Sequence, residues 1–203
     1  MLGGTSAPAR PGPSYLSERQ SSIGAQPGPR ETVSPSMEST QHLAPPVSPS
    51  LQDELVWRAR SYEHLRSSFA AGCVPPSVLH SMSVYRGAAG FWYDKERTSV
   101  IANPGVCVSL LHTGRDYADA VQSRGMYYSY PNTERPGASD ANEVESARRA
   151  LELRVPVFVV RPGTAANLRG VDLGWVVGDI TSESLLIVEF ADYDPHRLSN
   201  RAI

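Results

Sequence analysis

The chain has 203 residues, of which 40% are hydrophobic and 20% charged, and its formal net charge is −2. This length allows one sizeable hydrophobic core, and the absence of an apolar run of eighteen residues excludes a membrane-spanning helix. Two cysteines, Cys73 and Cys107, are too few for a disulfide framework or a four-cysteine zinc site. No secretory signal pattern opens the sequence, so we expect a cytoplasmic protein with reduced thiols.

The basic residues are almost all arginine, since Lys95 is the single lysine among nineteen positive side chains. The planar guanidinium fork suits phosphates, carboxylates and base edges. A genome rich in G and C would produce the same preference. Because the net charge is slightly negative, any nucleic-acid surface has to be a local patch.

Residues 1–49 are rich in proline and serine and contain one aromatic side chain, Tyr15. Such a segment buries too little apolar surface to offset its chain entropy, so the composition predicts a disordered tail. Met37 lies near its end, and the sequence leaves open whether translation starts at Met1 or at Met37.

The segment 50–80 is predicted to be a helical lead-in to the main domain. Ser50 followed by Asp53 matches a capping box at a helix start. Apolar residues then recur at three- and four-residue steps as far as Phe69, and Gly72 marks the expected end.

A second helix is predicted to begin at Asp140 and to end before Pro156. The other apolar segments are short and rich in β-branched and aromatic residues, which is typical of strands. Several are apolar at consecutive positions, so their sheet should be covered on both faces or closed on itself. Residues 81–203 are therefore predicted to form an α+β domain with a curved sheet or small β-barrel. The predicted strands are 82–86, 105–111, 125–130, 155–160, 171–177 and 184–190, with a hairpin loop at 178–182.

Aromatic and acidic side chains concentrate between His112 and Asp140. In an alternating strand, Tyr128 and Tyr130 share one face and Tyr127 takes the other. Two aromatic planes and a carboxylate are what a pocket for a planar heterocycle needs. Half-buried strand tyrosines and turn-capping aspartates would give the same pattern.

The segment VCVSLLHTGRDYADAVQSRGMYYSYPNT resembles the signature of SRA-type readers of modified cytosine. The downstream segment SDANEVESARRALELRVPVFVVRPG is similar to the helix and strand that follow the pocket in that family. The stretch from Tyr85 to Phe190 also resembles the domains found ahead of HNH nuclease domains in bacterial restriction proteins. The resemblance covers about residues 80–190.

The resemblance implies a PUA-like barrel that flips one base out of DNA and holds it in a pocket. It implies that Tyr117 and Tyr130 stack on the two faces of the base and that Asp119 accepts hydrogen bonds from the cytosine edge. The family has a longer acidic run here, so Asp116 is an alternative to Asp119. The implied pocket residues are Tyr117, Asp119, Tyr130, Tyr128, Ser129 and Asp116.

A second segment, from Tyr85 to Trp92, is predicted to be a flexible loop that reaches into a DNA groove through Arg86 and Trp92. A structural ion pair for Arg86 and a core position for Trp92 are the alternatives. Arg115, Arg124 and Arg135 are predicted to contact DNA phosphates, or else to be ordinary solvated surface.

The sequence therefore predicts the recognition component of a bacterial modification-dependent restriction system, located with the nucleoid. Its predicted partners are double-stranded DNA with modified bases and a separate nuclease subunit, with no cofactor, no metal and no catalysis by this chain. One alternative is an NAD-dependent ADP-ribosyltransferase-like enzyme, suggested by Arg86, Ser109, Glu143 and Glu145. An RNA-binding PUA-like module is the other.

Overall fold

The computed structural model describes residues 50–86, 90–114, 120–133 and 139–190. The tail predicted at 1–49 lies outside these ranges, so the prediction of disorder stays a prediction. The described helices are α1 (Leu51–Ser68), α2 (Pro76–Ser81), α3 (Lys95–Thr98) and α4 (Ser139–Glu152). The described strands are β1 (Phe91–Tyr93), β2 (Cys107–Leu111), β3 (Ala120–Gln122), β4 (Gly125–Ser129), β5 (Val157–Pro162), β6 (Arg169–Ile180) and β7 (Leu185–Phe190).

The strands form one seven-stranded sheet in the order β1-β2-β5-β6-β7-β4-β3. Strands β2 and β5 run parallel, and the other neighbouring pairs among these described strands are antiparallel. Strand β6 is twelve residues long and pairs with β5 through its first half and with β7 through its second. The α+β fold class predicted from the sequence is confirmed.

Strand β5 shows that both faces of the sheet are covered. Val157 and Val159 lie in an inner core cluster that most strands share, together with Ala147 of α4. The intervening Phe158 and Val160 lie in an outer cluster, which α1 covers. Alternate residues of a strand point to opposite faces, and this explains why the segment is apolar at consecutive positions.

The sheet curves until distant strands meet. Tyr128 lies on β4, the sixth strand in the sheet order, and its ring packs edge-on against Phe91 of β1, with 5.1 Å between the ring centroids. The Tyr128 hydroxyl lies 2.8 Å from the carbonyl oxygen of Gly90 and 2.6 Å from that of Leu111. The inner cluster is thus enclosed by a strongly curved, barrel-like sheet.

Helix α1 begins at the predicted capping box. The Asp53 amide donates to the Ser50 hydroxyl oxygen at 3.2 Å, and the Ser50 amide donates to the Asp53 carboxylate at 3.1 Å. The second predicted helix is α4, which begins one residue earlier than expected, at Ser139.

A buried ionic cluster fastens α1 to the sheet. The Arg58 Nε donates to Glu54 at 2.8 Å, and Arg97 of α3 pairs with the other Glu54 oxygen. The Arg58 Nη1 donates to the Cys107 carbonyl at 2.8 Å and also to the Pro156 carbonyl. Arg58 and Glu54 are fully buried, so these contacts have to offset the free-energy cost of removing their charges from water.

The predicted strand at 82–86 is wrong. Helix α2 occupies the preceding residues, and Ser83 has φ 54°, a left-handed conformation that turns the chain. Val84 and Tyr85 are nevertheless buried, because the turn places them in the outer cluster. Their apolar character reflects tertiary packing rather than strand pairing.

Gly125 begins β4 in contact with the backbone of β7. A β-carbon at this position would collide with the carbonyl oxygen of Val188 and lie 3.2 Å from the Glu189 Cα. We expect Gly125→Ala to lower the free energy of unfolding by about 1–3 kcal/mol, because backbone cannot move aside as a side chain can. Urea denaturation followed by circular dichroism measures this change.

The matched control is Gly170→Ala on β6, where the nearest atom to the added methyl group, the Pro162 carbonyl oxygen, is 3.6 Å away. This variant should stay within about 0.5 kcal/mol of the wild type. Equal stability of the two variants would contradict the close approach of β4 to β7.

Candidate nucleic-acid interface

Strand β4 presents its tyrosines in the predicted alternation. Tyr127 is 40% exposed on the outer face, whereas Tyr128 is 1% exposed on the inner face. Tyr130 follows the last strand residue, is half-buried, and packs against the edge of the inner cluster. Ser129, another predicted pocket residue, is half-buried and pairs with Leu185 of β7.

The position of Tyr128 differs from the one expected for a pocket residue. Its ring is enclosed in the inner cluster, and its hydroxyl is engaged by backbone carbonyls of two other strand ends. A base cannot stack on a ring whose faces are already covered by core side chains. The structure therefore gives Tyr128 a packing role in closing the sheet.

Tyr130 belongs to a polar cluster that we call the Tyr130 cluster, made of Tyr130, Arg148, Asp179 and Thr181. The Tyr130 hydroxyl donates to Asp179, and Arg148 Nε donates to the other Asp179 oxygen at 2.6 Å. The Arg148 Nη2 donates to the Tyr130 hydroxyl at 3.2 Å. Thr181 completes the cluster through its hydroxyl, 3.3 Å from Asp179 Oδ1.

The electrostatics of this cluster follow from those contacts. Burial, reinforced by the hydrogen bond to Asp179, raises the pKa of the Tyr130 phenol. Burial alone would raise the pKa of Asp179, but hydrogen bonds from Tyr130 and Arg148 hold it below its usual value. The hydrogen bond to Asp179 raises the pKa of Arg148. At neutral pH the cluster is thus a neutral phenol held by an ion pair.

Four predicted site residues, Arg115, Asp116, Tyr117 and Asp119, lie outside the described residues. The chain is described again from Ala120, and the Ala120 Cα pairs with that of Tyr127 on β4. The segment that contains Tyr117 and Asp119 is therefore joined directly to a strand that pairs with β4. Arg135 also lies outside the described residues.

The segment around Trp92 differs from the predicted flexible loop, because Phe91–Tyr93 form β1. Phe91 is buried, and Trp92 is half-buried against the outer cluster. The Arg86 guanidinium lies over the Trp92 ring, 5.4 Å from its centroid. Residues 87–89 lie outside the described part of the chain, so the predicted contact of Arg86 and Trp92 with a DNA groove stays a prediction.

Arg124 occupies the turn between β3 and β4 and has an exposed side chain. Its backbone carbonyl accepts a hydrogen bond from the Phe190 amide at 2.9 Å, which fixes the turn against the end of β7. The guanidinium thus extends into solvent from a fixed backbone, as a phosphate contact requires.

The residues that suggested an ADP-ribosyltransferase-like enzyme lie in surroundings that differ from one another. Ser109 is buried in β2, and Glu143 is buried in the first turns of α4. Glu145 pairs with Arg149 at 2.7 Å on the surface of the same helix. The Glu-x-Glu pair is therefore helical, whereas in ADP-ribosyltransferases it lies in a loop entering a strand.

Within the described ranges, no group of three or more histidine, cysteine, aspartate or glutamate side chains is arranged to hold a metal ion. No helix in the described part of the chain is long and apolar enough to cross a membrane. Cys107 is buried beside β1, and burial raises the pKa of its thiol to about 12.

Comparison with solved structures finds several similar folds. One is a modification-dependent restriction endonuclease, TagI, with 12% identity over 64% of this chain and 51% of that one, at a TM-score of 0.46. Another is the SRA domain of SUVH5 in complex with fully methylated CG DNA, with 18% identity over 60% of this chain and 91% of that one, at a TM-score of 0.39. The chain is similar to SRA domains.

A third similar structure is KRYPTONITE in complex with mCHG DNA and SAH, with 12% identity, 70% of this chain and 38% of that chain covered, and a TM-score of 0.41. The chain spans about half the length of the TagI structure and less of the KRYPTONITE structure. No family model matches the sequence, and no curated protein matches it.

Two charged residues that hold Tyr130, Arg148 and Asp179, are not among the site residues predicted from the sequence. They lie 18 and 49 positions from Tyr130 along the chain. A weak signal exists in each case, since Asp179 lies within the hairpin loop predicted at 178–182, where the structure continues β6 to Ile180, and Arg148 lies on the predicted second helix. Neither signal connects the residue to Tyr130 without the sheet order.

Proposed function

We propose that this chain binds double-stranded DNA containing modified cytosine, flips the modified base out of the duplex and holds it against Tyr130. In this proposal the chain is the recognition component of a modification-dependent restriction system, and a separate nuclease subunit cuts the DNA. The similar SUVH5 and KRYPTONITE structures are complexes with methylated DNA, and we propose the same class of ligand for this chain.

The observation that carries the proposal is the placement of Tyr130. The signature segment resembles one in which a strand begins at a glycine and ends at a base-stacking tyrosine, and β4 runs from Gly125 to Ser129 with Tyr130 next. The ring is half-buried, so one part is supported by the core while another part stays accessible. Tyr128 on β4 has no comparable accessible ring surface, because its ring is enclosed in the inner cluster.

The energetics of flipping require such a ring. Removing a base from the stack costs a few kcal/mol, which the pocket has to return. Stacking on one aromatic side chain contributes about 1–3 kcal/mol, so two rings offset the cost. We propose Tyr117 as the second ring and Asp119, with Asp116 as the alternative, as the acceptor for the cytosine N4 amino group.

The proposal is tested by binding titrations with four otherwise identical duplexes at one salt concentration. They carry cytosine, 5-methylcytosine, 5-hydroxymethylcytosine or N6-methyladenine at a single site. We expect a cytosine-modified duplex to bind about tenfold tighter than the plain duplex, the scale of one specific base contact. A 2-aminopurine beside the modified base should brighten on binding, because its flipped neighbour no longer stacks on it.

Equal affinity for all four duplexes would contradict the proposal. An RNA hairpin that binds tighter than every DNA duplex would favour the RNA-binding alternative. Enhanced fluorescence with the plain duplex as well as the modified one would show that flipping is not tied to the modification.

Arg124 is proposed to contact a phosphate, and its removal should act differently from removal of a pocket residue. Arg124→Ala is expected to weaken binding to modified and plain duplex by the same factor. It should also reduce the slope of log K against log salt by about one, the share of a single phosphate contact. Salt-dependent anisotropy titrations measure both quantities.

The control is Arg60→Ala, which removes an equal charge from an exposed position on α1. This variant should keep the wild-type salt slope. A slope unchanged by Arg124→Ala would remove Arg124 from the interface, and so would a loss confined to the modified duplex. Asp119→Ala, in contrast, is expected to weaken binding to the modified duplex more than to the plain one.

A further inference from the structure

Tyr130 lies just past the point where β4 stops pairing, and its side chain needs a separate anchor there. Its amide donates to the Ser184 carbonyl at 2.8 Å, which fixes the backbone next to the last strand pair, Ser129 with Leu185. Backbone pairing leaves the ring free to rotate about its own side-chain torsions. The Tyr130 cluster supplies the anchor at the far end of the ring, the hydroxyl.

The anchor comes from two different elements of the fold. Asp179 stands near the end of β6 and accepts from the phenol, while Arg148 stands on α4 and donates to both partners. The Arg148 guanidinium also lies 5.8 Å from the centroid of the Tyr130 ring. Asp179 of the sheet thus holds the hydroxyl of the Tyr130 ring, and Arg148 of the helix lies against the ring itself.

The carboxylate in these contacts is better shielded than the carboxylate of an ordinary ion pair on the same helix. The Asp179 and Arg148 side chains are 16% and 33% exposed. Arg149, the next residue, pairs with Glu152, whose side chain is 56% exposed. Tyr128, which packs in the core, has its hydroxyl hydrogen-bonded to two backbone carbonyls instead of to a charged side chain of the Tyr130 cluster. A ring that must meet a ligand in one orientation gains affinity by being held there beforehand.

We propose that Arg148 and Asp179 are positioning residues that fix the ring of Tyr130 for stacking on the flipped base. This inference rests on the proposed function. Neither residue needs to touch the base. They act by holding the phenol, so that binding does not have to order the ring, and their loss should reduce discrimination more than general affinity for DNA.

The experiment compares matched substitutions in the full chain, using duplexes with 5-methylcytosine and with cytosine. Arg148→Met and Arg149→Met remove the same charge from adjacent helical positions, but only Arg148 contacts Tyr130. Asp179→Asn is matched by Asp172→Asn, which lies on the same strand and pairs with Arg161 instead. For each variant, the ratio of the two affinities, the affinity for plain duplex and the thermal midpoint are measured.

We expect Arg148→Met and Asp179→Asn to reduce the affinity ratio about threefold, the scale of losing one hydrogen bond and a smaller effect than loss of the ring. Arg149→Met and Asp172→Asn should keep the wild-type ratio. The two arginine variants should lose affinity for plain duplex equally. Tyr130→Phe removes the hydroxyl but keeps the ring, so it should lower the ratio with a smaller effect on the thermal midpoint.

A nuclear magnetic resonance titration of the Tyr130 phenol tests the cluster without DNA. The Asp179 carboxylate raises the phenol pKa, so Asp179→Asn should lower it while Asp172→Asn should not. Wild-type ratios in Arg148→Met, Asp179→Asn and Tyr130→Phe together would overturn the inference while leaving the proposed function standing. A wild-type protein that does not discriminate between the duplexes would overturn both.

Discussion

Replacing Tyr130 by alanine is expected to remove the preference for modified over plain duplex. Tyr130 is the residue that we propose stacks on the flipped base, and one aromatic stack contributes about 1–3 kcal/mol. The affinity for the modified duplex should therefore fall by roughly tenfold or more, while the affinity for the plain duplex should change little. Titration with both duplexes at fixed salt measures the two affinities.

Tyr127→Ala is the matched control, since it removes the same kind of side chain three residues earlier, from the outer face of β4, where Tyr127 is 40% exposed. This variant should keep the preference. Full discrimination in Tyr130→Ala would remove Tyr130 from the base pocket. An equal loss in both variants would indicate damage to the β3–β4 hairpin rather than to the pocket.

The largest effect on stability is expected from Glu54→Ala. The substitution leaves Arg58, which is fully buried, and Arg97, which is 4% exposed, without the carboxylate they share. One guanidinium nitrogen on each arginine already has no hydrogen-bond partner among the described residues, and the Asp94 carboxylate that also pairs with Arg97 lies farther away, at 3.5 Å. We expect a loss of about 3–5 kcal/mol in the free energy of unfolding.

Urea denaturation measures this loss, and Glu63→Ala provides the comparison. Glu63 lies on the same helix and is exposed, so its removal changes the net charge equally and should cost less than about 0.5 kcal/mol. Similar stabilities for the two variants would show that the buried cluster contributes little. The Glu54→Ala variant should also show faster amide hydrogen exchange where β2 and β5 begin, because Arg58 donates hydrogen bonds to backbone carbonyls there.

The helices and strands that could be predicted from sequence are those with a clear apolar pattern or a helix-capping motif. Helix α1 starts at its capping box, and β5 appears as a consecutive apolar run because both of its faces are buried. Strands β1 and β3 are three residues each, which is too short for alternation to be recognised. The error at Val84 and Tyr85 has another cause, since a buried turn and a buried strand use the same apolar residues.

The candidate site could be predicted only in part for a similar physical reason. Tyr130 is predicted as a site residue because the segment that ends at it resembles a familiar local pattern. Arg148 and Asp179 hold it through contacts that depend on β7 lying between β6 and β4. Local sequence does not encode that neighbour relation, so residues that support a site from distant elements require the assembled fold.

The sheet order also has a consequence for how the molecule assembles during synthesis. Strand β4 lies beside β7, which is the last of the described strands to leave the ribosome, and the segment that joins the two in sequence contains α4, β5 and β6. Closing so long a loop is slow, because its entropy is lost before the contacts form. A nascent chain that stops before residue 185 would therefore leave the edge of β4 that faces β7 unpaired, and premature termination should yield species that aggregate.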